Sequence, residues 1–405
     1  MNIAILGFGT IGTGVFDIIR RVSRLTQDMK VKYILVRKNK KKVLPEMTDN
    51  LDEILSDPAL DVVVEVMGGI EPAHSYILTA LQHHKHVITA NKAVIACYLE
   101  EFTRVAEENG VKFYFESSVG GGTPWIHGIE RAARVDDIDN IQGIFNGTSN
   151  FILEQMKKTG ASFGEALFQA QSLGYAEADP SADIDGWDVA NKLCISCDIA
   201  YDCYVKPSKQ LPIFGIRNIT ARDINNISQR GYTVKLIGKS HQLGVNFDYF
   251  VEPTLCRTDT LEANTSENYN LISLHGQTVG ELRFVGQGAG KFPTANAIIQ
   301  DILDICQNKS HLQRTFNRKL RYQANLTKGN YIVRCSKNCL SLFGYFAKSK
   351  WSDYLLLQQI PVGQMHELMK RVLELDSKAW MASLPNEKEQ AIPEKNVASL
   401  NKQHA

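Results

Sequence analysis

The chain has 405 residues, of which 44% are hydrophobic, and it carries 45 basic against 44 acidic side chains. This length and composition predict a globular protein of two or three domains. The formal net charge of +1 gives no preference for nucleic acid or a membrane surface. The sequence has neither an apolar run of about 18 residues nor a secretory-signal pattern. Its eight cysteines lack paired spacing, so we expect reduced thiols in a cytoplasmic protein.

A glycine-rich turn follows the first apolar strand of the chain, which we predict over residues 2–6. The turn reads Gly7, Phe8, Gly9, Thr10, Ile11 and Gly12. A helical pattern continues to about Leu25 and a second strand covers 32–36, so the turn lies in a βαβ unit, where G-x-G-x-x-G is typical of a dinucleotide site. We expect Gly9 to let pyrophosphate approach the backbone, and Gly12 to let the helix pack on the strand. An ordinary βα turn is the alternative.

The residues after the second strand bear on the choice of cofactor. NAD sites usually carry an acid here for the ribose 2′-hydroxyl, whereas NADP sites place arginine near the 2′-phosphate. This chain has the basic run RKNKKK over 37–42 and no acid. We therefore predict NADP(H) in preference to NAD(H), with Arg37 and Lys38 as cofactor-binding side chains. A solvated basic loop is the alternative.

Further strands over 61–67, 86–89 and 111–116 predict a doubly wound parallel sheet of the α/β class. Ligands in such sheets lie beyond the carboxyl ends of the strands, so Lys92 falls where cofactor and substrate would meet. The turn that follows, ESSVGGGTP over 116–124, offers successive carbonyls that suit a hard cation.

An unusual density of carboxylates precedes a lysine in the segment LGYAEADPSADIDGWDVANK, residues 173–192. The five acids are Glu177, Asp179, Asp183, Asp185 and Asp188. The stretch WDVANKLCI predicts a helix with Asp188 and Lys192 on one face. Carboxylates converging beside an amine form a site for a small cationic substrate with an acid/base group at hand. Free lysine titrates near ~10.4, so we expect Lys192 to be protonated at neutral pH. A solvated loop with a surface ion pair is the alternative.

The second half of the chain predicts an α+β domain. A strand over 141–145 leads into a polar loop that caps a helix, and alternating runs around 230–238, 245–252 and 270–286 predict antiparallel strands. A helix opens at Pro293 and continues to about Cys306.

Several blocks within residues 1–306 make the chain resemble homoserine dehydrogenases. These blocks are GFGTIG, GGIEPA, TANKA, ESSVGGGTPWI, GIFNGTSNFIL, LGYAEADPSADIDGWDVANKL and GQGAGKFPTANA. The resemblance implies reversible NAD(P)H-dependent reduction of L-aspartate 4-semialdehyde to L-homoserine, in threonine, methionine and isoleucine biosynthesis. It implies a Rossmann-type domain over 1–125 and a catalytic and dimerisation domain with a mixed sheet over 126–310. The last helix of that domain, about 293–306, would pack back on the cofactor domain. The chain would form a homodimer, or a tetramer if C-terminal domains also pair.

The resemblance also implies roles for the individual residues of this chain that match family positions within these blocks. Lys192 would transfer the proton, and Lys92 would be the second lysine, touching cofactor and substrate. The substrate would bind to Glu177, Asp183 and Asp188. Cofactor contacts fall on the following residues: Gly7, Phe8, Gly9, Thr10, Ile11, Gly12, Arg37, Lys38, Lys92, Gly174 and Gly290. A monovalent cation such as Na⁺, held mostly by backbone carbonyls, falls on the following residues: Glu116, Val119, Gly121 and Thr123.

The C-terminal part resembles a shortened, degenerate ACT regulatory domain, a βαββαβ unit, over residues 325–382. The usual Pro-Gly turn after its first strand is missing, and no clear run of strands follows the helix GQMHELMKRVLEL. Inhibition by threonine therefore does not follow from the resemblance. Residues 383–405 are polar, and we expect them to be disordered.

Two other functions fit parts of the pattern. A phosphorylating semialdehyde dehydrogenase would need a thiol nucleophile, for which Cys97 is the well-placed candidate, but no histidine stands at an obvious activating position. A non-catalytic dinucleotide sensor would use the acidic segment only as a dimer contact.

Overall fold

The computed structural model describes residues 1–21, 24, 26–205, 211–309, 316, 318–351 and 353–385. Two sheets organise this part of the chain. The strands of the first sheet are β1 Asn2–Leu6, β2 Lys30–Leu35, β3 Met47–Thr48, β4 Val62–Glu65, β5 His86–Thr89 and β6 Phe113–Tyr114. Its helices are α1 Thr10–Arg20, α2 Leu51–Leu55, α3 Ala73–Gln82 and α4 Lys92–Glu108.

All strand pairs of the first sheet are parallel, in the order β3-β2-β1-β4-β5-β6. The order reverses between β1 and β4, which is the switch point of a Rossmann-type sheet, and ligands bind in the crevice beyond it. Strands β1 and β4 are buried on both faces, as their apolar sequences predict. The predicted Rossmann-type fold is therefore confirmed.

The first helix is shorter than the sequence predicts. We expected it to continue to about Leu25, which lies outside the described residues, but α1 ends at Arg20. A turn closed by the Met29 amide and the Thr26 carbonyl, 3.0 Å apart, then leads directly into β2. The chain must turn back early because β2 has to lie parallel beside β1, and apolar spacing alone carries no information about that requirement.

The second sheet begins with strands β7 Ile138–Ile144, β8 Tyr232–Leu243, β9 Asn246–Arg257, β10 Tyr269–Gly276 and β11 Gly280–Gln287. They run antiparallel in the order β11-β10-β7-β8-β9. The accompanying helices are α5 Trp125–Ala132, α6 Gly147–Thr159, α7 Phe163–Ser172, α8 Ser181–Ile184, α9 Trp187–Tyr201, α10 Ala221–Ser228, α11 Leu261–Asn264 and α12 Lys291–Cys306. Of these, α9 lies against β7, β8 and β9 and is almost wholly buried.

The last part of the described chain continues the same sheet. Its elements are β12 Arg321–Tyr322, β13 Lys328–Arg334, α13 Leu340–Phe343, β14 Ala347–Trp351, β15 Tyr354–Pro361, α14 Val362–Leu375 and β16 Trp380–Leu384. The strand order after β9 is β16-β13-β15-β14, and β12 pairs with the other end of β9. The second sheet is thus mixed, because β9 pairs in parallel with β12 and β16.

A single strand, β16, follows the last helix, where the sequence shows no clear run of strands. Its five residues include the fully buried Trp380, and it pairs with β13 along its whole length. So short a run gives no periodicity, and its strand conformation depends on the partner strand. The expected disordered tail accordingly begins too early, since β16 extends to Leu384, and most of that tail, residues 386–405, lies outside the described part of the chain.

Helix α12 packs on the first sheet although it follows the second domain in sequence. Ala295, Ile298 and Ile302 share a buried cluster with Ile3 of β1 and Val15 of α1. This helix therefore ties the two sheets together beside the glycine-rich turn. None of the described helices is both long and apolar enough to cross a bilayer.

Candidate active site

Helix α9 carries the acid and the lysine that the sequence singles out. It begins after Gly186, whose φ of +92° is a left-handed conformation that suits glycine. Asp188 and Lys192 stand one turn apart, and their Oδ2 and Nζ atoms are 2.9 Å apart. Lys192 Nζ also donates a hydrogen bond of 2.7 Å to the carbonyl of Phe145, just after β7. Both side chains are almost fully buried, which excludes the alternative of a solvated surface ion pair.

A second lysine reaches the same carboxylate from the first sheet. Lys92 is the first residue of α4, directly after β5, and Asn91 caps that helix with its side chain. Lys92 Nζ lies 2.9 Å from Asp188 Oδ1. One buried carboxylate thus binds two ammonium groups, one beyond the carboxyl end of β5 and one on α9. The predicted meeting of Lys92, Lys192 and Asp188 is present in the structure.

Asn146, which the sequence did not assign to the site, connects Asp183 with Asp188. Its Oδ1 accepts from the Ser149 amide at the start of α6. Its Nδ2 donates to Asp183 Oδ1 at 2.6 Å and to Asp188 Oδ2 at 2.8 Å. Its place as the N-cap of α6 was visible in the sequence, but its reach to the acidic segment was not.

The buried charges change one another's pKa values in opposite directions. Burial by itself would raise the pKa of Asp188, but Lys192 and Lys92 hold it well below its usual range. Asp188 raises the pKa of Lys92, with smaller contributions from Asp183 and Glu177. Burial lowers the pKa of Lys192 more than Asp188 raises it. The pKa of Lys192 therefore lies below that of a free lysine, a shift that the sequence could not indicate because it carries no information about desolvation.

Not all five carboxylates of the acidic segment point at the lysines. Asp179 caps the Ser181 amide, and Asp185 makes two hydrogen bonds to Arg217. Burial and the nearby Asp188 raise the pKa of Asp183. Glu177 is exposed, and its backbone carbonyl accepts from the Gln171 side chain. Of the three acids that the resemblance assigns to the substrate, Asp183 and Asp188 lie beside the lysines, and Glu177 is near enough to act on Lys92 through its charge.

The glycine turn after β1 has the shape that a dinucleotide needs. Gly7 has a φ of +101°, and a Cβ at Gly12 would lie 2.2 Å from the Gly7 carbonyl oxygen, so helix and turn touch there. At Gly9 a Cβ would meet nothing within 4 Å, which leaves the backbone open to a ligand at the start of α1. Thr10 and Ile11 form the first turn of that helix.

Other residues of the predicted cofactor set lie around this turn. Arg37 and Lys38 are exposed after β2. Lys40 was not predicted individually, yet its Nζ donates to the Phe8 carbonyl at 3.0 Å, inside the glycine turn. Gly174 has a φ of +76° after α7, and Gly290 caps α12 with a φ of +142°.

The turn over 116–123 connects the two sheets and is almost entirely buried. The Glu116 carboxylate accepts hydrogen bonds from the Ile126 and His127 amides at the start of α5, and it also bonds to the His127 ring. The Thr123 hydroxyl oxygen is buried without a hydrogen-bond partner in the described residues. Among those residues, no group of three or more His, Cys, Asp or Glu side chains could hold a metal.

Comparison with known proteins agrees with this geometry. A family model described as homoserine dehydrogenase matches residues 124–303, and one for the NAD-binding domain of the same enzymes matches 7–116. A homoserine dehydrogenase of Synechocystis is 40% identical over 317 residues, which cover 75% of this chain and 73% of the relative. The chain belongs to the homoserine dehydrogenase family.

Solved structures extend the similarity to the C-terminal part. A homoserine dehydrogenase from Thiobacillus denitrificans has a TM-score of 0.83 at 30% identity, covering 95% of this chain and 98% of that one. A hyperthermophilic archaeal homoserine dehydrogenase in complex with NADPH has a TM-score of 0.66 at 27% identity, covering 77% and 99%. The enzyme is thus an oxidoreductase that interconverts L-homoserine and L-aspartate 4-semialdehyde with a dinucleotide. This assignment sets aside the thiol-dependent dehydrogenase with Cys97 as nucleophile and the non-catalytic sensor.

Proposed function

We propose that Lys192 is the general acid and base of the homoserine dehydrogenase reaction, with Lys92 as the second lysine. The observation that carries the proposal is the convergence of both Nζ atoms on Asp188, each at 2.9 Å. Bound NAD(P)H supplies the hydride. When the aldehyde is reduced, its oxygen gains negative charge, which a nearby ammonium group stabilises and protonates.

Two of the three N–H bonds of Lys192 are used by Asp188 and the Phe145 carbonyl. The third has no acceptor within the described residues and remains for the substrate oxygen. In the oxidation direction the neutral amine must take the hydroxyl proton, and burial favours this by lowering the pKa of Lys192. Lys92 keeps its charge because Asp188 raises its pKa. Lys192 therefore carries the proton, whereas Lys92 stays positively charged.

Three acids supply the recognition of the substrate ammonium. We propose Glu177, Asp183 and Asp188 for this role. An ionised Asp183 carboxylate only accepts hydrogen bonds, which suits it to an ammonium group. Its Oδ1 is oriented by the hydrogen bond that it accepts from Asn146. Glu177 is exposed at the turn after α7 and can close on a substrate without breaking a side-chain bond to another described residue.

We propose NADP(H) as the preferred cofactor, held by the glycine turn and by the exposed cations after β2. The support is the exposed Arg37 and Lys38 together with Lys40 beside Phe8, and the archaeal relative that holds NADPH. Phe8, Thr10, Ile11, Gly174 and Gly290 complete the contact set.

Arg37→Ala should raise the KM for NADPH about tenfold and leave the KM for NADH within twofold, because a charge-assisted hydrogen bond to phosphate is lost only with the phosphorylated cofactor. Initial rates at 340 nm with each cofactor measure this. Lys42→Ala is the matched control, since this cation of the same loop already pairs with Asp49. Equal effects of Arg37→Ala on both cofactors would contradict the assignment.

We propose a monovalent cation, such as Na⁺, at the turn formed by Glu116, Val119, Gly121 and Thr123. The buried, unpartnered Thr123 hydroxyl oxygen and the left-handed Gly121 (φ +61°) fit a site made of backbone and hydroxyl oxygens. Because the Glu116 carboxylate is already engaged by α5, we propose its carbonyl oxygen as the cation ligand.

Replacing tetramethylammonium chloride with NaCl at equal ionic strength should raise the midpoint of thermal unfolding, because a specific ligand stabilises the folded state. The Thr123→Val variant should lose this cation-specific rise, since valine keeps the volume and removes the oxygen. Ser172→Ala, which removes an exposed hydroxyl, is the control. The same rise in Thr123→Val as in the parent would argue against the site.

We propose a homodimer through the mixed sheet, whose edge strand β11 exposes Val285, and a tetramer if the C-terminal units also pair. We propose an ACT-like unit there, supported by the order β16-β13-β15-β14 with α13 and α14 between strands. The eight free cysteines support a reducing compartment such as the cytoplasm.

A further inference from the structure

Two side chains share the carbonyl oxygen of Phe145. Lys192 Nζ donates to it at 2.7 Å, and Asn270 Nδ2 donates to it at 3.1 Å. A carbonyl oxygen has two lone pairs, so these donors use its full accepting capacity. The oxygen that holds the proposed proton carrier is therefore itself held from a second direction.

Asn270 is tightly confined. It lies on β10 opposite Gly286 of β11 and has no exposed surface. A Cβ at Gly288 would come within 2.2 Å of its Oδ1 and 2.3 Å of its Nδ2, so the glycine backbone lies directly against the amide. The turn over 286–290 therefore packs directly on the Asn270 amide and confines it from this side.

Core packing alone does not account for an asparagine at this position. Its Oδ1 is buried without a hydrogen-bond partner among the described residues, and an unsatisfied buried oxygen is costly. An apolar side chain of similar shape, such as leucine, would fill the same space without that cost. The hydrogen bond from Nδ2 to Phe145 is the feature that distinguishes asparagine here.

We propose that Asn270 is a positioning residue, which orients Lys192 through the Phe145 carbonyl. The proposal rests on the acid/base role proposed for Lys192. By occupying one lone pair, Asn270 directs the other toward Lys192 Nζ, and the ammonium is then fixed between this oxygen and Asp188. Because the Asn270 amide also touches the turn that leads to Gly290, it sets the lysine relative to the proposed cofactor site.

Asn270→Leu and Asn270→Asp test this role, because both keep the approximate shape and remove the donor. The measurement is kcat for homoserine oxidation as a function of pH, with the KM for the cofactor. We expect kcat to fall at least tenfold in both variants while the KM for the cofactor stays within about twofold, since small displacements of a catalytic group cost large factors in rate.

The pH profile separates positioning from a purely structural effect. The charged groups that face Lys192 are Asp188 on its own helix, Lys92 on α4 and Asp183 on α8, and none is changed in these variants. An ionised carboxylate at position 270 would add a negative charge across the Phe145 carbonyl oxygen that Nζ also contacts, so the rising limb of kcat should move to higher pH in Asn270→Asp. In Asn270→Leu the limb should move less than in Asn270→Asp.

Ser273→Ala is the matched control, because Ser273 Oγ makes the equivalent bond from β10 to β7, at 3.3 Å from the Gln142 carbonyl. The Ser273→Ala variant should keep the wild-type kcat and the wild-type position of the rising limb of the pH profile. If the Asn270 variants keep the wild-type kcat and the wild-type position of the rising limb of the pH profile, the positioning role is overturned. Should Asn270→Leu not fold, Asn270→Ala, which adds no atoms, takes its place with the same expected loss.

A Lys192→Met variant separates failure of the positioning role from failure of the proposed acid/base role. If Lys192→Met is inactive and the Asn270 variants are normal, the positioning role alone is overturned. If Lys192→Met retains full turnover, the acid/base role and the positioning role both fall.

Discussion

Lys192→Met should lower kcat about 10²- to 10⁴-fold in both directions, the range that a positioned acid/base group contributes. Methionine keeps most of the aliphatic stem in its buried surroundings but has no proton to give or take. Asp188 keeps one ion pair, with Lys92, so the site does not hold an isolated charge. Steady-state rates at 340 nm give kcat, and fluorescence titration with NADPH tests whether cofactor binding is retained.

A matched lysine is available elsewhere in the same domain. Lys235 on β8 is equally buried and donates to Asn150 Oδ1 and the Thr265 carbonyl, and burial lowers its pKa to about 8. Lys235→Met should leave kcat within about threefold of the parent in the folded protein, because its ammonium lies outside the site. Turnover by Lys192→Met within threefold of the parent would refute the assignment of the proton carrier.

Asp188→Asn should lower both turnover and stability, because one carboxylate neutralises two ammonium groups. We expect the free energy of unfolding to fall by about 3–5 kcal/mol, the usual result of removing one partner of a buried ion pair. We also expect kcat to fall at least about a hundredfold, since Lys192 loses the group that orients it. Urea unfolding followed by fluorescence measures the first quantity, and initial rates measure the second.

The stability loss should depend on pH with a defined sign. The folded-state pKa of Asp188 lies below its unfolded-state value, near ~3.9. The carboxylate therefore contributes its full stabilisation above that unfolded value and loses it as the pH falls toward the folded-state pKa. The difference between parent and Asp188→Asn should be constant between about pH 6 and 8 and shrink below about pH 4.

Asp185→Asn is the matched control for this variant. Asp185 belongs to the same acidic segment, but its partner Arg217 is more than half exposed. Exposed pairs contribute little, about 0–1 kcal/mol, so this variant should keep kcat and nearly all of the stability. Equal losses in the Asp185 and Asp188 variants would mean that the segment acts only as a charged surface.

Much of the site could be predicted from the sequence because its key contacts depend on local spacing. Asp188 and Lys192 are four residues apart on a helix, which puts them on one face wherever the helix lies. The glycine turn is equally local, since Gly7, Gly9 and Gly12 each answer a steric requirement of one βα connection. Lys92 was predictable one step further, from its place after a parallel strand.

Other parts of the site could not be read from the sequence because they depend on contacts between distant segments. Asn146 looked like a helix cap, and only the approach of α8 and α9 gives it Asp183 and Asp188 as partners. Strand β16 likewise depends on β13 for its conformation. Nothing in the local pattern around Asn270 distinguishes it from an ordinary strand residue.

The sequence by itself determined the first βαβ unit with its dinucleotide turn and the pairing of Asp188 with Lys192, because backbone geometry enforces each of these over short stretches of chain. Only the tertiary structure decided which carboxylates face the lysines, and that the pKa of Lys192 falls while that of Lys92 rises. The physical reason is that desolvation and charge interactions depend on what surrounds a group in space. Those surroundings come from α4, α8, α9 and the mixed sheet together.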